Sequence, residues 1–277
     1  QIHTKWAGKT VHFARETDST NLWIKRLAKE GASEGTLALA EFQSAGRGRL
    51  GRSWEVPEGT SVMMSILLRP KFEPQYAPTL TLVMGMAVAK AVKNLGFDVS
   101  IKWPNDVVVS HKKICGILTE MGVRDGKIDY AVIGVGINVN IKEFPEEMAD
   151  KATSLYLESG REFDRSQIPG LVMEAFEKYY EKFAAITNEY RDDAAKVNDI
   201  LENFAVNAET LKNTMAEMNS GISDISTTID ESSQGVNDAA DSVGGIVDSI
   251  NDIEKDAAKN TEIGQKLQNY VEVFKKF

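Results

Sequence analysis

Seven residues of this sequence alternate glycine with arginine and are the ones best suited to chemistry: Gly46-Arg47-Gly48-Arg49-Leu50-Gly51-Arg52. Glycine lets backbone N–H groups converge on an anion, and each guanidinium adds a fixed positive charge with several donors. The pattern therefore predicts a loop that binds phosphate. For the seven residues alone, a flexible basic turn or a nucleic-acid patch explains the composition equally well.

The segments on either side of this loop predict two strands of a sheet. Residues 36–42 and 61–68 are short apolar runs of the kind that forms strands. The loop would then join two strands, and a bound ligand would meet the edge of the sheet. Trp54 follows the loop and either fills the core or stacks on a bound ring.

A second polar group, Lys102-Trp103-Pro104-Asn105-Asp106, separates two further predicted strands at 99–103 and 106–109. Pro104 removes a ladder donor and biases the residue before it to an extended conformation. Asn105 and Asp106 are therefore expected at a kink that holds their side chains in a fixed place.

Periodicity and turn residues predict the remaining elements. Ser19 or Thr20 is the expected N-cap of a first helix, and Asp125-Gly126 is a hairpin turn signal. Further strands are predicted at 10–13, 117–123 and 127–134, and helices at 22–28, 76–95, 154–157 and 167–183.

The Gly/Arg loop, the Lys102–Asp106 segment and Lys113-Ile114-Cys115-Gly116-Ile117-Leu118 together resemble the catalytic domain of biotin protein ligases, over about residues 2–183. Lipoate ligases share that fold, but this combination is similar to the biotin branch. The resemblance implies an α+β fold: a mixed sheet with flanking helices, of the class II synthetase-like biotin/lipoate ligase type.

The resemblance also implies an activity, in which ATP with Mg²⁺ converts biotin to biotinyl-5′-AMP. The biotin then passes to a lysine of a biotin carboxyl carrier protein. The implied catalytic residues are Lys113, Arg49, Asp106 and Arg47. The implied biotin-binding residues are Ser19, Thr20, Gln43, Gly46, Arg47, Lys113, Gly116 and Gly134. The implied nucleotide-binding residues are Arg49, Arg52, Trp54, Lys102, Asn105 and Asn138. No metal-ligand spacing is visible among the three histidines, so no resident metal is expected.

Charge and composition divide the 277 residues into two parts. Residues 187–277 hold 18 acidic and 8 basic side chains, a net charge of −10, whereas residues 1–186 hold 23 and 24. We therefore expect a catalytic domain at 1–186 and a second segment at 187–277. A single cysteine, no signal peptide and no apolar run of membrane-spanning length favour the cytoplasm. Because the chain starts at Gln1 rather than Met, we expect a trimmed piece of a longer protein.

The second segment carries apolar residues at alternating spacings of four and three from residue 190 to residue 274, without proline. This period predicts a coiled-coil helix on the order of 130 Å long. Residues 222–235 resemble the C-terminal descending helix of a methyl-accepting chemotaxis protein signalling domain, although an anonymous acidic coiled coil fits the heptads as well. We expect homo-oligomers through this helix, with bending or a helical hairpin near Gly244-Gly245 as the alternative.

Two other functions remain as alternatives to the ligase. The first is a passive holder of biotin or its adenylate, and the second is a coiled-coil scaffold in which the helical segment does the work. Residues 1–10 are too short for a winged helix, so neither DNA binding nor transcriptional repression is expected. Where the ligase family continues into a small SH3-like β-barrel, this sequence continues into heptads.

Overall fold

A computed structural model describes residues 2–274 of the chain. Its sheet has seven strands in the order β1-β2-β3-β7-β6-β5-β4. β1 and β2 are parallel, and the other neighbouring pairs are antiparallel. The strands are β1 Val11–Thr17, β2 Leu37–Gln43, β3 Ser61–Leu68, β4 Val99–Lys102, β5 Asp106–Val109, β6 Lys112–Arg124 and β7 Lys127–Asn138.

Helices cover both faces of this sheet. They are α1 Thr20–Lys29, α2 Thr79–Asn94, α3 Glu146–Ala149, α4 Leu155–Ser159 and α5 Ile168–Phe274. The larger core packs α2 and the start of α5 against one face, where Met64 and Ile66 of β3 and Phe176 of α5 are buried. A smaller cluster packs α1 against the other face and includes Leu67 of β3. Because β3 is covered on both sides, all eight of its residues are buried.

Glu177 of α5 fastens the N-terminal segment to this core. Its carboxylate accepts backbone N–H bonds from Lys5, Trp6 and Ala7 at 2.9, 2.8 and 3.1 Å. Burial opposes ionisation, but these bonds outweigh it and lower the pKa of Glu177 below its usual value.

The chain divides into two units, Gln1–Ala195 and Lys196–Phe277. In the second unit, α5 continues as a single helix whose side chains are exposed from residue 196 to residue 269. Ile222, Ile225 and Ile229 are 57, 61 and 62% exposed. No helix in the described part of the chain combines the length and apolar character needed to span a membrane.

The predicted α+β architecture, a mixed sheet with flanking helices followed by a long helix, is confirmed. Three local expectations differ from the structure. Ser19 stands at the N-cap of α1, but its side chain makes no capping bond; its backbone N–H instead donates to Asp18 at 2.7 Å. The last helix does not end at residue 183, because heptad spacing and the absence of proline let it continue. It also runs unbroken through Gly244-Gly245.

Candidate active site

The Gly/Arg loop folds back on itself as a narrow turn. Trp54 donates its backbone N–H to the Gly46 carbonyl at 2.9 Å, and Gly48 donates to the Arg52 carbonyl at 2.7 Å. A side chain at Gly46 would overlap the Trp54 carbonyl, which explains the need for glycine there. The tip at Arg49–Gly51 and the following Arg52 are exposed, so these two guanidinium groups lie on the solvent side of the site.

A polar cavity of about 50 Å³ opens between this loop, the start of α1 and the sheet. At its wall, the Gln43 amide oxygen accepts bonds from the Thr20 N–H at 2.7 Å and the Thr20 hydroxyl at 3.0 Å. The Ser65 hydroxyl donates to the Asn21 amide oxygen at 2.6 Å. These side chains are buried, so their mutual bonds fix the positions of the donors and acceptors in this wall.

Two glycines on adjacent strands form a flat floor beside the cavity. Gly116 of β6 is directly opposite Gly136 of β7. The Trp54 ring lies on both, since a Cβ at Gly136 would be 2.7 Å from the ring and one at Gly116 would be 3.0 Å away. The indole N–H is buried without a hydrogen-bond partner. With Trp54 in this place the cavity is far below the several hundred Å³ that a ligand of drug size requires.

Lys113 and Asp106 form an ion pair next to Trp54. The Lys113 Nζ is 2.7 Å from Asp106 Oδ1 and 5.3 Å from the centre of the Trp54 ring. Lys113 is fixed near the start of β6, where its backbone N–H donates to the Lys151 carbonyl. Cys115 nearby is fully buried, and burial raises the pKa of its thiol far above the usual value, so it is not a nucleophile.

A larger cavity of about 570 Å³ adjoins the first. One wall is apolar and comes from the segment around α3: Phe144, Pro145, Met148 and Ala152. Asn138, at the end of β7, donates to the Thr153 carbonyl at 3.1 Å, while its own amide oxygen is buried without a partner. An unpaired buried acceptor is costly, so this oxygen is suited to a ligand N–H.

Glu120 of β6 joins three elements around the smaller cavity. Its Oε1 lies 2.7 Å from Lys25 Nζ and 3.4 Å from Arg47 NH1, and its Oε2 accepts from Asn21 Nδ2 at 2.8 Å. Burial raises the pKa of Glu120, but the bonds from Lys25 and Asn21 and the charges of Lys25 and Arg47 outweigh burial and lower it. Glu120 is therefore held as a carboxylate between two cations.

Most of the predicted site residues line one or both cavities. Those on the smaller cavity are Ser19, Thr20, Gln43, Arg47, Arg49, Trp54, Asn105, Lys113, Gly116 and Gly134. Those on the larger one are Arg49, Arg52, Trp54, Asn105, Asp106, Lys113 and Asn138. Gly46 and Lys102 line neither; Gly46 lies at the base of the loop, and Lys102 is exposed on the edge strand β4. The roles assigned to all of these residues stay predictions.

Sequence reasoning missed several residues of the site. Asn21 lines the smaller cavity, and the apolar residues around α3 line the larger one. The α3 segment had no visible signal, because its apolar residues follow no regular period.

Comparisons with known proteins identify the family of the chain. A family model described as the biotin/lipoate A/B protein ligase family matches residues 13–138. The biotin--[acetyl-CoA-carboxylase] ligase of Paracoccus denitrificans is 32% identical over 196 residues, which cover 66% of this chain and 80% of that protein. The chain therefore belongs to the biotin/lipoate A/B protein ligase family.

Two further matches describe the extent of the similarity. The bifunctional ligase/repressor BirA of Bacillus spizizenii is 39% identical over 185 residues, 66% of this chain and 57% of that protein. A solved structure of the biotin protein ligase from Aquifex aeolicus, in complex with biotin and ATP, aligns with a TM-score of 0.55 and 36% identity. That alignment covers 64% of this chain and 72% of the Aquifex chain. The chain thus spans little more than half the length of the Bacillus relative.

Proposed function

We propose that the chain is an ATP-dependent biotin protein ligase with its catalytic domain at residues 1–186. In the proposed reaction, a carboxylate oxygen of biotin attacks the α-phosphate of ATP. A biotinyl-5′-AMP anhydride forms and pyrophosphate leaves. A lysine amine of a biotin carboxyl carrier protein then attacks the biotinyl carbonyl, an amide forms, and AMP leaves. Family membership and the activities for which the relatives are named support this proposal.

One observation carries the proposal: the two cavities share Arg49, Trp54, Asn105 and Lys113. The smaller cavity is polar and suits the ureido ring of biotin, whose N–H and C=O groups need both acceptors and donors. The larger cavity has an apolar wall and an unpaired acceptor, which suit an adenine. The biotin carboxylate and the α-phosphate would meet between them.

In the proposed biotin site, Ser19, Thr20 and Gln43 bind the ureido ring. Gly116 and Gly134 line this site by resemblance to the family; in this structure Lys113 and Trp54 pack on Gly116, and Asn21 packs on Gly134. Gly46 and Arg47 belong to the loop that closes over the ligand. In this structure Trp54 covers the floor, so ligand binding requires the indole to move.

In the proposed nucleotide site, Arg49 and Arg52 contact phosphate oxygens and the Trp54 ring stacks on adenine. Asn105 and Asn138 face the nucleoside. The unpaired amide oxygen of Asn138 accepts a hydrogen bond from the exocyclic amine of adenine. Lys102 is assigned to the nucleotide by resemblance only.

The chemical difficulty is electrostatic, because two anions must approach each other. Lys113, placed beforehand between the cavities, would stabilise the negative charge that develops in the transition state. Asp106, which holds Lys113 at 2.7 Å, would accept the proton that the acceptor amine loses. Arg47 and Arg49 would retain the adenylate between the two steps.

Mg²⁺ fits this site as an ion that arrives with ATP. No three His, Cys, Asp or Glu side chains converge into a metal site anywhere in residues 2–274. Mg²⁺ typically keeps several waters and binds one or two carboxylates plus substrate phosphates. Asp106 would provide such a carboxylate. When bound, Mg²⁺ would neutralise phosphate charge.

Biotin-dependent release of pyrophosphate from ATP tests the proposal. The parent chain should release it, and Lys113→Ala should reduce the rate by about 100-fold or more. Lys112→Ala is the matched control, because Lys112 Nζ only donates to the Ala149 carbonyl. A parent without biotin-dependent release would be a passive holder or a scaffold; unchanged release by Lys113→Ala would reject the role of that residue.

We further propose that the segment at residues 187–277 makes the protein a homo-oligomer through α5. The exposed isoleucines at 222, 225 and 229 support this, because a single helix cannot bury its heptad seam. The resemblance of residues 222–235 to a chemoreceptor signalling helix supports the same interpretation. Consumption of ATP and a lone buried cysteine support the cytoplasm as the compartment.

Light scattering tests the association. The full chain should form particles of two or more copies, held more tightly at high salt because the segment carries a net charge of −10. A chain cut after Ile186 should be smaller and should retain biotin-dependent pyrophosphate release. A monomeric full chain would refute the association, and loss of activity on cutting would refute the domain boundary.

A further inference from the structure

The carboxylate of Glu120 has no role in the reaction proposed above, yet it lies at the junction of the cavity wall and the Gly/Arg loop. It is one side chain on β6 that contacts two residues of α1, Asn21 and Lys25, and one residue of the loop, Arg47. Its side chain is 20% exposed and that of Arg47 is 45% exposed, so solvent screens the contact between them in part.

The loop itself has few attachments to the sheet. Its backbone bonds between Gly46 and Trp54 and between Gly48 and Arg52 are internal. Among the ion pairs of the described residues, the one between Arg47 and Glu120 is the pair that joins this loop to a strand.

The geometry leaves Arg47 free to bind a ligand while it is held. Glu120 contacts NH1 at 3.4 Å, and a guanidinium carries five N–H donors in a fixed plane. The remaining donors stay available to a carboxylate or phosphate. A charge at Glu120 is also needed because Lys25 approaches the same Oε1 at 2.7 Å. Without the carboxylate, Lys25 and Arg47 would repel each other and Arg47 would move away from the cavity.

We propose that Glu120 is a positioning residue that holds Arg47 over the ligand and so slows the escape of the adenylate. This inference rests on the proposed ligase function. Glu120 lines neither of the two cavities, and it acts through Arg47.

A double-mutant cycle on the release of biotinyl-5′-AMP tests the inference. The dissociation rate of biotinyl-5′-AMP is measured for the parent, Glu120→Gln, Arg47→Ala and the double variant. Glu120→Gln should release the adenylate about two- to fivefold faster, as expected from the loss of an ion pair with one partly exposed partner. In the Arg47→Ala background the same change should have almost no further effect, because the residue through which it acts is gone.

Two controls separate positioning from general damage. Glu120→Asp keeps the charge and should restore most of the slow release. Glu58→Gln removes the exposed pair between Arg15 and Glu58 and should leave release unchanged.

Each outcome decides the inference. Release from Glu120→Gln at the parent rate would overturn it, and so would effects of Glu120→Gln and Arg47→Ala that multiply. The second result would mean that Glu120 acts by supporting Asn21 and the cavity wall. A parent that neither binds nor forms biotinyl-5′-AMP would overturn the ligase proposal itself, and this inference with it.

Discussion

Replacing Gly134 with alanine should destabilise the catalytic domain by about 2 kcal/mol and weaken biotin binding. A Cβ at this position would overlap the Asn21 amide oxygen and lie 2.9 Å from its Cγ. Asn21 is 3% exposed and cannot rotate freely, because Ser65, Leu118 and Glu120 hold its amide at 2.6, 3.3 and 2.8 Å.

The magnitude follows from the two ways of relieving this overlap. If β7 shifts, the free energy of unfolding falls by the amount typical of an overpacked core, about 1–3 kcal/mol. If Asn21 turns away, the buried Ser65 hydroxyl keeps Thr20 Oγ1 at 2.7 Å as its acceptor but loses Asn21, and Glu120 loses a donor, at about 1–3 kcal/mol in total. The response that loses less free energy will dominate, so the change should lower the free energy of unfolding by about 2 kcal/mol.

Tryptophan fluorescence during urea unfolding measures this loss, because all four tryptophans lie in residues 1–186. Gly85→Ala is the matched control, since a Cβ there meets Ile117 at an ordinary 3.7 Å. That change should be neutral or slightly stabilising in a helix. Adding Asn21→Ala to Gly134→Ala should recover part of the loss, since it removes the overlapping atoms. Gly134→Ala with parental stability would show that Asn21 does not fill this space.

The remaining prediction concerns pH. Because the pKa of Glu177 is lowered in the folded protein, its stabilisation is present above the unfolded value of about 4.3 and disappears as the pH falls below it. Glu177→Gln should therefore lower the free energy of unfolding by about 2 kcal/mol at pH 7, with a difference that shrinks in acid, whereas Glu174→Gln on the exposed side of the same helix should not. A difference from the parent that is constant between pH 7 and pH 3 would contradict this.

The sequence predicted those parts of the fold in which a single residue pattern decides the structure. The strand at 61–68 was predicted with its observed bounds because it is a short apolar run covered on both faces. The prediction of a turn at Asp125-Gly126 was correct. Both residues adopt positive φ, 51° and 74°, as a two-residue hairpin turn of this kind requires.

The site was harder to predict where contacts come from distant elements. Glu120 occupies an ordinary polar position of a strand, and nothing in its neighbours along the chain reveals Lys25 or Arg47. For Ser19 the predicted N-cap position was right, but its side chain makes no capping bond. Its backbone N–H donates to Asp18, and Arg26 holds the Asp18 carboxylate. Partner choice of this kind depends on tertiary distances that local propensity does not contain.

The floor of the site shows how one irregularity decides the chemistry. The Asp125-Gly126 turn pairs Arg124 with Lys127, a register that, continued along the hairpin, would set Gly116 opposite Val135. The register shifts by one residue between Gly122 and Val123, and Gly116 then faces Gly136. A one-residue shift in register moves each β7 side chain beyond the bulge to the opposite face of the sheet relative to β6. This bulge therefore decides which residues line the cavity. The Tyr130 ring packs directly on Gly122 at this bulge, where a Cβ would lie 2.6 Å from the ring. A position six residues along β6 from Gly116, outside both cavities, therefore sets the pairing at the floor of the site.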